Sequence, residues 1–402
     1  MFEIRGKYNT ALCYAEIIEE EAIEQLQRMV DQEFTAGSRL RIMPDVHAGH
    51  GCTIGTTMTV KDKAVPNFVG VDIGCGMYTV ELGNQEIDFA AVDAAAHAMP
   101  SGFHVWESER EFFPLEDLRC FDRLENIGRL RKSLGTLGGG NHFIEIDRSE
   151  DGRYYLIIHS GSRNLGKQVA EYYQETAVNQ HSGRKDYLVE RDELIARLKA
   201  EGRQKEIQGA LQELQVSWLA KKPDMPADLC YLYGELFRDY MHDIEICQRF
   251  ARRSRELMAE FIMQSAGLSA VSAFHTIHNY IDTEEMVLRK GAISAHRGEL
   301  VLIPLNMKDG CILAVGKGNP EWNESAPHGA GRVMSRTRAR HVLSLQDYQD
   351  EMQGIYTTSV NAETLDEAPQ AYKPQEAILN VINETVEVRE ILKPVYNFKA
   401  SE

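Results

Sequence analysis

Asp72 and Cys75 lie three residues apart in Gly70-Val71-Asp72-Ile73-Gly74-Cys75-Gly76-Met77, where three of eight residues are glycine. Glycine permits tight turns and close approach of the backbone to a ligand. A carboxylate and a thiol at i and i+3 around such a turn can face one centre. A hard oxygen beside a soft sulfur suits a borderline divalent metal such as Zn or Mn. An ordinary tight turn has the same composition, so this stretch alone leaves both readings open.

Four further stretches carry chemistry. Ile42–Cys52 places Asp45, His47 and His50 in a glycine-bearing loop, either a polar site or a solvated loop. Gly138-Gly139-Gly140 runs into an apparent strand carrying His142 and Glu145, and a second strand, 154–158, ends at His159. Two adjacent strands could present both imidazoles at one edge, for a metal or a phosphate; a lone histidine at a strand end is usually structural. His275 and His278 form an HxxH pair. On a helix they would share a face; on a strand they would point apart, so one could be a ligand without the other. Last, His328-Gly329-Ala330-Gly331-Arg332 lets backbone amides converge on an anion, as at a helix N-terminus, with Arg332 and Arg336 facing the same anion. This is the best phosphate-handling signal in the chain, and it is not a Walker A loop.

The elements that must position these residues follow from periodicity. Residues 16–32 read as a helix with Ile17, Ile18, Ala22, Leu26 and Met29 on its apolar side. The stretch 65–80 reads as buried strands with tight turns, 86–98 as a helix, and 105–134 as charged with helical spacing. Residues 165–262 read as mostly helical. Within them 186–215 is a charged, protruding helical pair, 221–226 is a break, and 228–263 is a long core-packing helix carrying a packed or solvated His242. Strands are expected at 292–295, 300–304 and 311–315, and a helix at about 375–391. No repeat or low-complexity linker divides the chain. We expect one α+β domain over 1–402 with a helical insertion at 183–226.

Bulk composition bounds the class. The 402 residues are 43% hydrophobic, ample for a core, and contain no apolar run of membrane length. The N-terminus lacks a signal-peptide pattern. The seven cysteines are scattered, odd in number and without a CxxC pair. They point to buried thiols in a reducing, cytoplasmic compartment. A net charge of −17 argues against coating a polyanion. Local basic clusters, Arg332/Arg336/Arg338/Arg340 and Arg289/Lys290/Arg297, still allow a selective nucleic-acid site.

Taken jointly, PDVHAGHG at 44–51, VDIGCG at 71–76, GGGNHFIE at 138–145, HSGSR at 159–163, HN at 278–279, HGAGRVMSR at 328–336 and KPVYNFK at 393–399 closely resemble the RtcB-type RNA-splicing ligases. The resemblance spans nearly the whole chain. It implies an RtcB-like α+β fold, with mixed sheets around a central metal cleft and peripheral helices. It implies a GTP- and Mn2+-dependent enzyme that joins RNA 2′,3′-cyclic phosphate or 3′-phosphate ends to 5′-hydroxyl ends, in RNA repair or tRNA splicing. By resemblance, Asp72, Cys75 and His142 would hold one Mn2+, and Cys75, His159 and His278 a second. His328 would carry GMP, and Arg163, Arg332 and Arg336 would offset phosphate charge. Asn141, His142, Phe143, Glu145, His278, Asn279, Pro304, Leu305, Asn306, Met307, Cys311, Gly329, Ala330, Gly331 and Lys399 would surround the guanylate. The chain departs from the family at Leu305-Asn306-Met307-Lys308, where Gly-Ser-Met-Gly is common, and at Ala400, where glycine is common. The first departure bears on nucleotide preference and motivates a competing reading, a metal-dependent cyclic phosphodiesterase that does not seal; a non-catalytic RNA-binding protein is a further alternative, against which the retained ligands and His328 argue. The physiological RNA, any helper protein and the oligomeric state, a monomer included, stay open. No membrane association is expected.

Overall fold

The structure is a computed structural model and describes residues 1–16, 18–219 and 225–399. Its centre is a seven-stranded antiparallel sheet. The strands run in the order Ser272–Ile277, Gly76–Gly83, Tyr154–Ser160, Phe143–Arg148, Val386–Lys399, Gly310–Gly316 and Leu300–Asn306. The sheet curls until its edges meet, where the Leu302 amide donates to the Thr276 hydroxyl at 3.1 Å. Alternation along each strand sorts the two faces. Met77, Phe143, Tyr155, Ile157, Leu302, Cys311, Leu313 and Leu392 pack inside the curl. Val80, Ile144, Ile146, Leu156, Ile158 and Phe398 face outward against Val92 and Ala96 of the Phe89–Ala98 helix and Met258 and Ile262 of the Gly234–Ala266 helix.

A second sheet has six strands, in the order Phe2–Arg5, Thr10–Cys13, Leu40–His47, Ile54–Thr59, Val287–Lys290 and Asn279–Asp282. The chain leaves the first sheet at Ile277 and enters the second at Asn279. His278 is therefore the single residue at the junction. Its amide donates to the Cys75 carbonyl at 2.9 Å, and its own carbonyl accepts from the Gly291 amide at 2.7 Å.

Several sequence expectations are revised. The first helix spans Glu20–Val30 rather than 16–32, and Ile17 lies outside the described residues. In place of strands over 65–80 there is one strand from Gly76, preceded by a short 3-10 turn at Pro66–Phe68 and an irregular turn. The 105–134 segment holds only short turns and the Ile127–Lys132 helix. There the amides of Arg119 and Cys120 donate to the buried Asp243 carboxylate at 2.8 and 3.0 Å, which replaces helical partners. The long helix begins at Gly234, not 228, because Leu232–Tyr233 first pairs as a strand with Lys63–Ala64. The expected break at 221–226 falls largely on residues outside those described. The C-terminal helix ends at Ile382. Val386–Lys399 is instead a 14-residue strand between two others of the main sheet, its Val386-Glu387-Val388 start alternating as a strand requires.

The charged pair exists as the helices Arg184–Ala200 and Ile207–Leu219, where Trp218 stacks on Tyr187. All seven cysteines are free and buried. No helix among the described residues is long and apolar enough to cross a membrane.

Candidate active site

The ends of the Phe143–Arg148 and Tyr154–Ser160 strands deliver the first imidazoles. Register pairs Phe143 with His159, so His142, one residue before its strand, stands beside it. The turn at 70–76 brings in Asp72 and Cys75. This turn packs tightly against Gly161, where a Cβ would lie 1.9 Å from Asp72 Oδ1. Arg255, fully buried in the long helix, clamps the arrangement: one guanidinium nitrogen donates to the carbonyls of Gly74 and Ser160, each at 2.7 Å. Sequence reasoning misses this residue, because a charge within a helical repeat reads as a solvated face. Burial drives Arg255 down to about 10, against the favourable pull of Cys75 and Asp72.

The side chains form a continuous row. Asp72 Oδ2 is 3.1 Å from His142 Nε2, which is 3.6 Å from Cys75 Sγ. The same sulfur is 3.3 Å from His159 Nε2, itself 3.0 Å from His278 Nε2. His142 Nδ1 donates to the Leu137 carbonyl at 2.9 Å and His159 Nδ1 to that of Asn141 at 3.2 Å. Those bonds fix both tautomers with the Nε2 lone pair turned inward, as metal-binding histidines require. Burial and the neighbouring imidazoles push His159 and His278 well down, so both rings are neutral donors. Burial works to raise the Asp72 carboxyl, and His142, Cys75 and His278 overcome it, holding it down to about 2. Burial and Asp72 keep the Cys75 thiol protonated. Two triads result, Asp72/Cys75/His142 and Cys75/His159/His278, with the sulfur common to both. This mixed O, N and S donor set fits a pair of borderline divalent ions. His275 takes no part: three residues before His278, within the strand, it stacks on Tyr78 and bonds Glu256.

Beyond His278 the row continues to His328, whose ring centroid is 5.0 Å away. His328 Nδ1 and its backbone amide both meet Oδ2 of the fully buried Asp45, at 2.7 and 3.2 Å. Asp45 therefore holds the tautomer that leaves Nε2 with its lone pair. The glycine turn at 328–331 is not a helix N-terminus, since the next helix starts at Arg336, capped by the Ser335 side chain.

A cavity of about 260 Å3 opens on His159, His278 and His328. Of the residues expected around a nucleotide, it is lined by Asn141, Phe143, Glu145, Asn279, Pro304, Leu305, Asn306, Met307, Gly329, Ala330, Gly331 and Lys399, and by Arg332 and Arg336. Three expected residues lie elsewhere. His142 sits behind, in the ligand row. Cys311 is buried inside the sheet, its thiol 3.7 Å from Glu145 Oε1. Arg163 lies behind the ligand row, packed with His142 around Gly138, and donates to the Gly102 carbonyl at 2.6 Å and the Thr136 hydroxyl at 3.1 Å. Glu367 and Tyr372 line the cavity without having been marked in the sequence; His47 from the Ile42–Cys52 stretch and Asn397 from the terminal KPVYNFK line it as well. The departing stretch is anchored: the Asn306 side chain accepts from the amides of Lys308 and Asp309 at 3.0 and 2.9 Å, and the Tyr348 hydroxyl meets Met307 Sδ at 3.0 Å.

The basic clusters are less free than the sequence implied. Arg336 pairs with Asp366 and Glu367, each at 2.9 Å, and Arg340 with Asp366 at 3.1 Å. Arg332 bonds the Asp366 carbonyl at 2.6 Å, and Lys399 closes on Glu367. Arg289 and Lys290 are buried and bonded internally.

Glu145 and Asp147 stand two apart on the inner face of the curled sheet. The Asn397 amide donates to Glu145 at 2.5 Å, whereas neither Asp147 oxygen has a hydrogen-bond partner. Burial, then the neighbouring Glu145, raises the Asp147 carboxyl well above its usual range. A carboxyl raised on folding stabilises the fold at low pH, and that contribution is lost as pH rises towards the folded value. Asp147→Asn should therefore gain stability over the wild type on raising pH from 5 to 8, by up to about 1.4 kcal/mol per pH unit. Thermal denaturation across that range measures it; a difference that does not change with pH would refute it.

Two candidate ligand triads sharing one sulfur, beside an imidazole oriented by a buried carboxylate and a cavity lined by Arg332, Arg336 and Lys399, form the candidate centre of an enzyme. The comparisons give the family. The model described as tRNA-splicing ligase RtcB matches residues 25–117 and 121–400. The chain is 31% identical to the RNA-splicing ligase RtcB of Escherichia coli K12, covering 94% of each chain. It is 25% identical to the tRNA-splicing ligase RtcB of Aeropyrum pernix, covering 85% of this chain and 83% of that one. For the tRNA-splicing ligase RtcB of Archaeoglobus fulgidus the figures are 26%, 92% and 88%. The chain belongs to the RtcB family, with an RtcB-like α+β fold, and is an enzyme of that ligase family.

Proposed function

We propose that this enzyme is a GTP- and Mn2+-dependent RNA ligase that joins 3′-phosphate or 2′,3′-cyclic phosphate ends to 5′-hydroxyl ends of cleaved RNA. The observation that carries this reading is the His328–Asp45 pair at the end of the ligand row. An imidazole with Nδ1–H held by a buried carboxylate and Nε2 free is a nucleophile. His328 Nε2 attacks the α-phosphorus of GTP. A P–N bond forms, the α–β anhydride breaks, and pyrophosphate leaves. A cyclic end is first opened by water, which breaks the bond from phosphorus to O2′ and leaves a 2′-hydroxyl and a 3′-phosphate; an oxygen of the 3′-phosphate then takes the GMP and frees His328. The 5′-hydroxyl oxygen attacks the activated 3′-phosphorus, and GMP departs.

Asp72, Cys75, His142, His159 and His278 would hold the two ions, which supply Lewis-acid stabilisation of phosphoryl oxygens when bound. Glu145 and Lys399, both lining the cavity, would offer a purine edge an acceptor and a cation. Arg332 and Arg336, already oriented by Asp366 and Glu367, face the phosphates.

Incubation of the wild type with α-labelled GTP and Mn2+ should give a covalent GMP adduct. Conversion of RNA ends without an adduct would instead favour a phosphodiesterase. Asp45→Asn would offer an amide N–H to Nδ1 and favour the tautomer protonated on Nε2. Its single-turnover guanylylation should slow by roughly 100-fold with metal content unchanged. A wild-type rate would show that Asp45 does not set the tautomer.

A further inference from the structure

Ser101–His104 forms a turn, closed by the His104 amide on the Ser101 carbonyl at 2.9 Å, that the ligase reading above does not use. Its tip is Phe103, 87% exposed, the most exposed large apolar side chain among the described residues. The backbone beneath is held firmly. The Gly102 amide donates to the Gly138 carbonyl at 3.0 Å, and the Leu137 amide to that of Pro100 at 3.0 Å. Arg163 donates to the Gly102 carbonyl at 2.6 Å, and Arg129 to that of Phe103. Leu137 is also the residue whose carbonyl fixes His142. A bare aromatic on a rigid turn is thus bonded directly to the segment that carries the ligand row.

The row has two ends. The nucleotide cavity opens on His159, His278 and His328, whereas Asp72, at the opposite end, does not line it and keeps about a third of its side chain in solvent. A nucleotide filling the cavity leaves the Asp72 end as the approach for the RNA strand, and the Phe103 turn is tied to that end by Arg163, which holds the Gly102 carbonyl and packs with His142 around Gly138.

We propose that Phe103 is a stacking platform for an unpaired base near the 3′ end of the RNA strand, with the exposed Arg129 beside it contacting the backbone phosphate. An aromatic face accepts every base, which suits an enzyme that seals ends of varied sequence. The occupant is single-stranded RNA rather than a protein, because the platform is continuous with a site whose substrate must enter there as a strand end.

The inference rests on the ligase reading but is tested apart from it, by the binding of a 5′-fluorescein, 3′-phosphorylated single-stranded RNA in Mn2+ without GTP. Fluorescence anisotropy should give a Kd weakened roughly 5- to 150-fold in Phe103→Ala and near wild type in Phe103→Trp. Placing an abasic site at each 3′-terminal position in turn should weaken wild-type binding at one position. Phe103→Ala should lose that sensitivity. Arg129→Ala should lower the dependence of log Kd on log salt by about one. An unchanged Kd in Phe103→Ala, or an abasic penalty that persists in it, overturns the platform. Adduct formation with GTP, which needs no RNA, reports separately on the ligase reading, so each can fail alone.

Discussion

His328→Ala takes up no label from α-labelled GTP and seals no RNA; ligation falls by at least about 10^4-fold, as expected when the only nucleophile is removed. The size of the effect follows from the ring's place. The ring lines the cavity beside the ligand row, and Asp45, bonded to its Nδ1, holds the Nε2 lone pair ready. The variant should keep its full metal content, since His278 and His159 remain in contact with Cys75 and each other. It loses some stability, because the buried Asp45 carboxylate is left without its ring partner, at a cost of about 1–3 kcal/mol. Intact-mass measurement after exposure to GTP and Mn2+ reads the adduct, and elemental analysis reads the ions. Adduct retained in His328→Ala would move the nucleophile to another side chain and undo the proposed function.

Cys75→Ala carries the second large effect. The other ligands serve one triad each, whereas the sulfur at 3.6 Å from His142 and 3.3 Å from His159 serves both. Its removal should reduce bound Mn2+ from two equivalents towards none, and slow both guanylylation and ligation by more than about 100-fold. His142→Ala, by contrast, should cost chiefly one equivalent. Elemental analysis on gel-filtered protein, with competition between Mn2+ and Zn2+, distinguishes them. Equal losses in the two variants would deny the shared position of the sulfur.

What could be read from the chain, and what could not, divides by distance along it. His142 and His159 were visible because each ends a short strand-like run beside glycines, and the structure places them side by side. The start of the C-terminal strand, up to 391, reads as helix because Arg389-Glu390 interrupts the alternation that Val386-Glu387-Val388 begins, and its place between two neighbouring strands settles its conformation. Asp45 stood in a stretch already marked as polar, yet nothing local ties it to a residue 283 positions later. Likewise Asp366 and Glu367 look like surface acids until the curl of the sheet buries them against Arg336 and Lys399. Arg163 shows the reverse: its HSGSR setting pointed to phosphate, while its guanidinium supports the Gly102 turn.

His278 joins the two sheets by one peptide unit, and Cys75, next along the row after His159, lies 203 residues earlier in the chain. Ions shared by these side chains would act as a reversible staple across a very long stretch of polypeptide. The entropy lost by the unfolded chain on such closure rises only slowly with length, but for a loop this long it is already several kcal/mol. Metal supply would then govern how long the protein survives in the cell as well as how fast it turns over. A cell short of the ion would hold a less stable enzyme as well as a less active one.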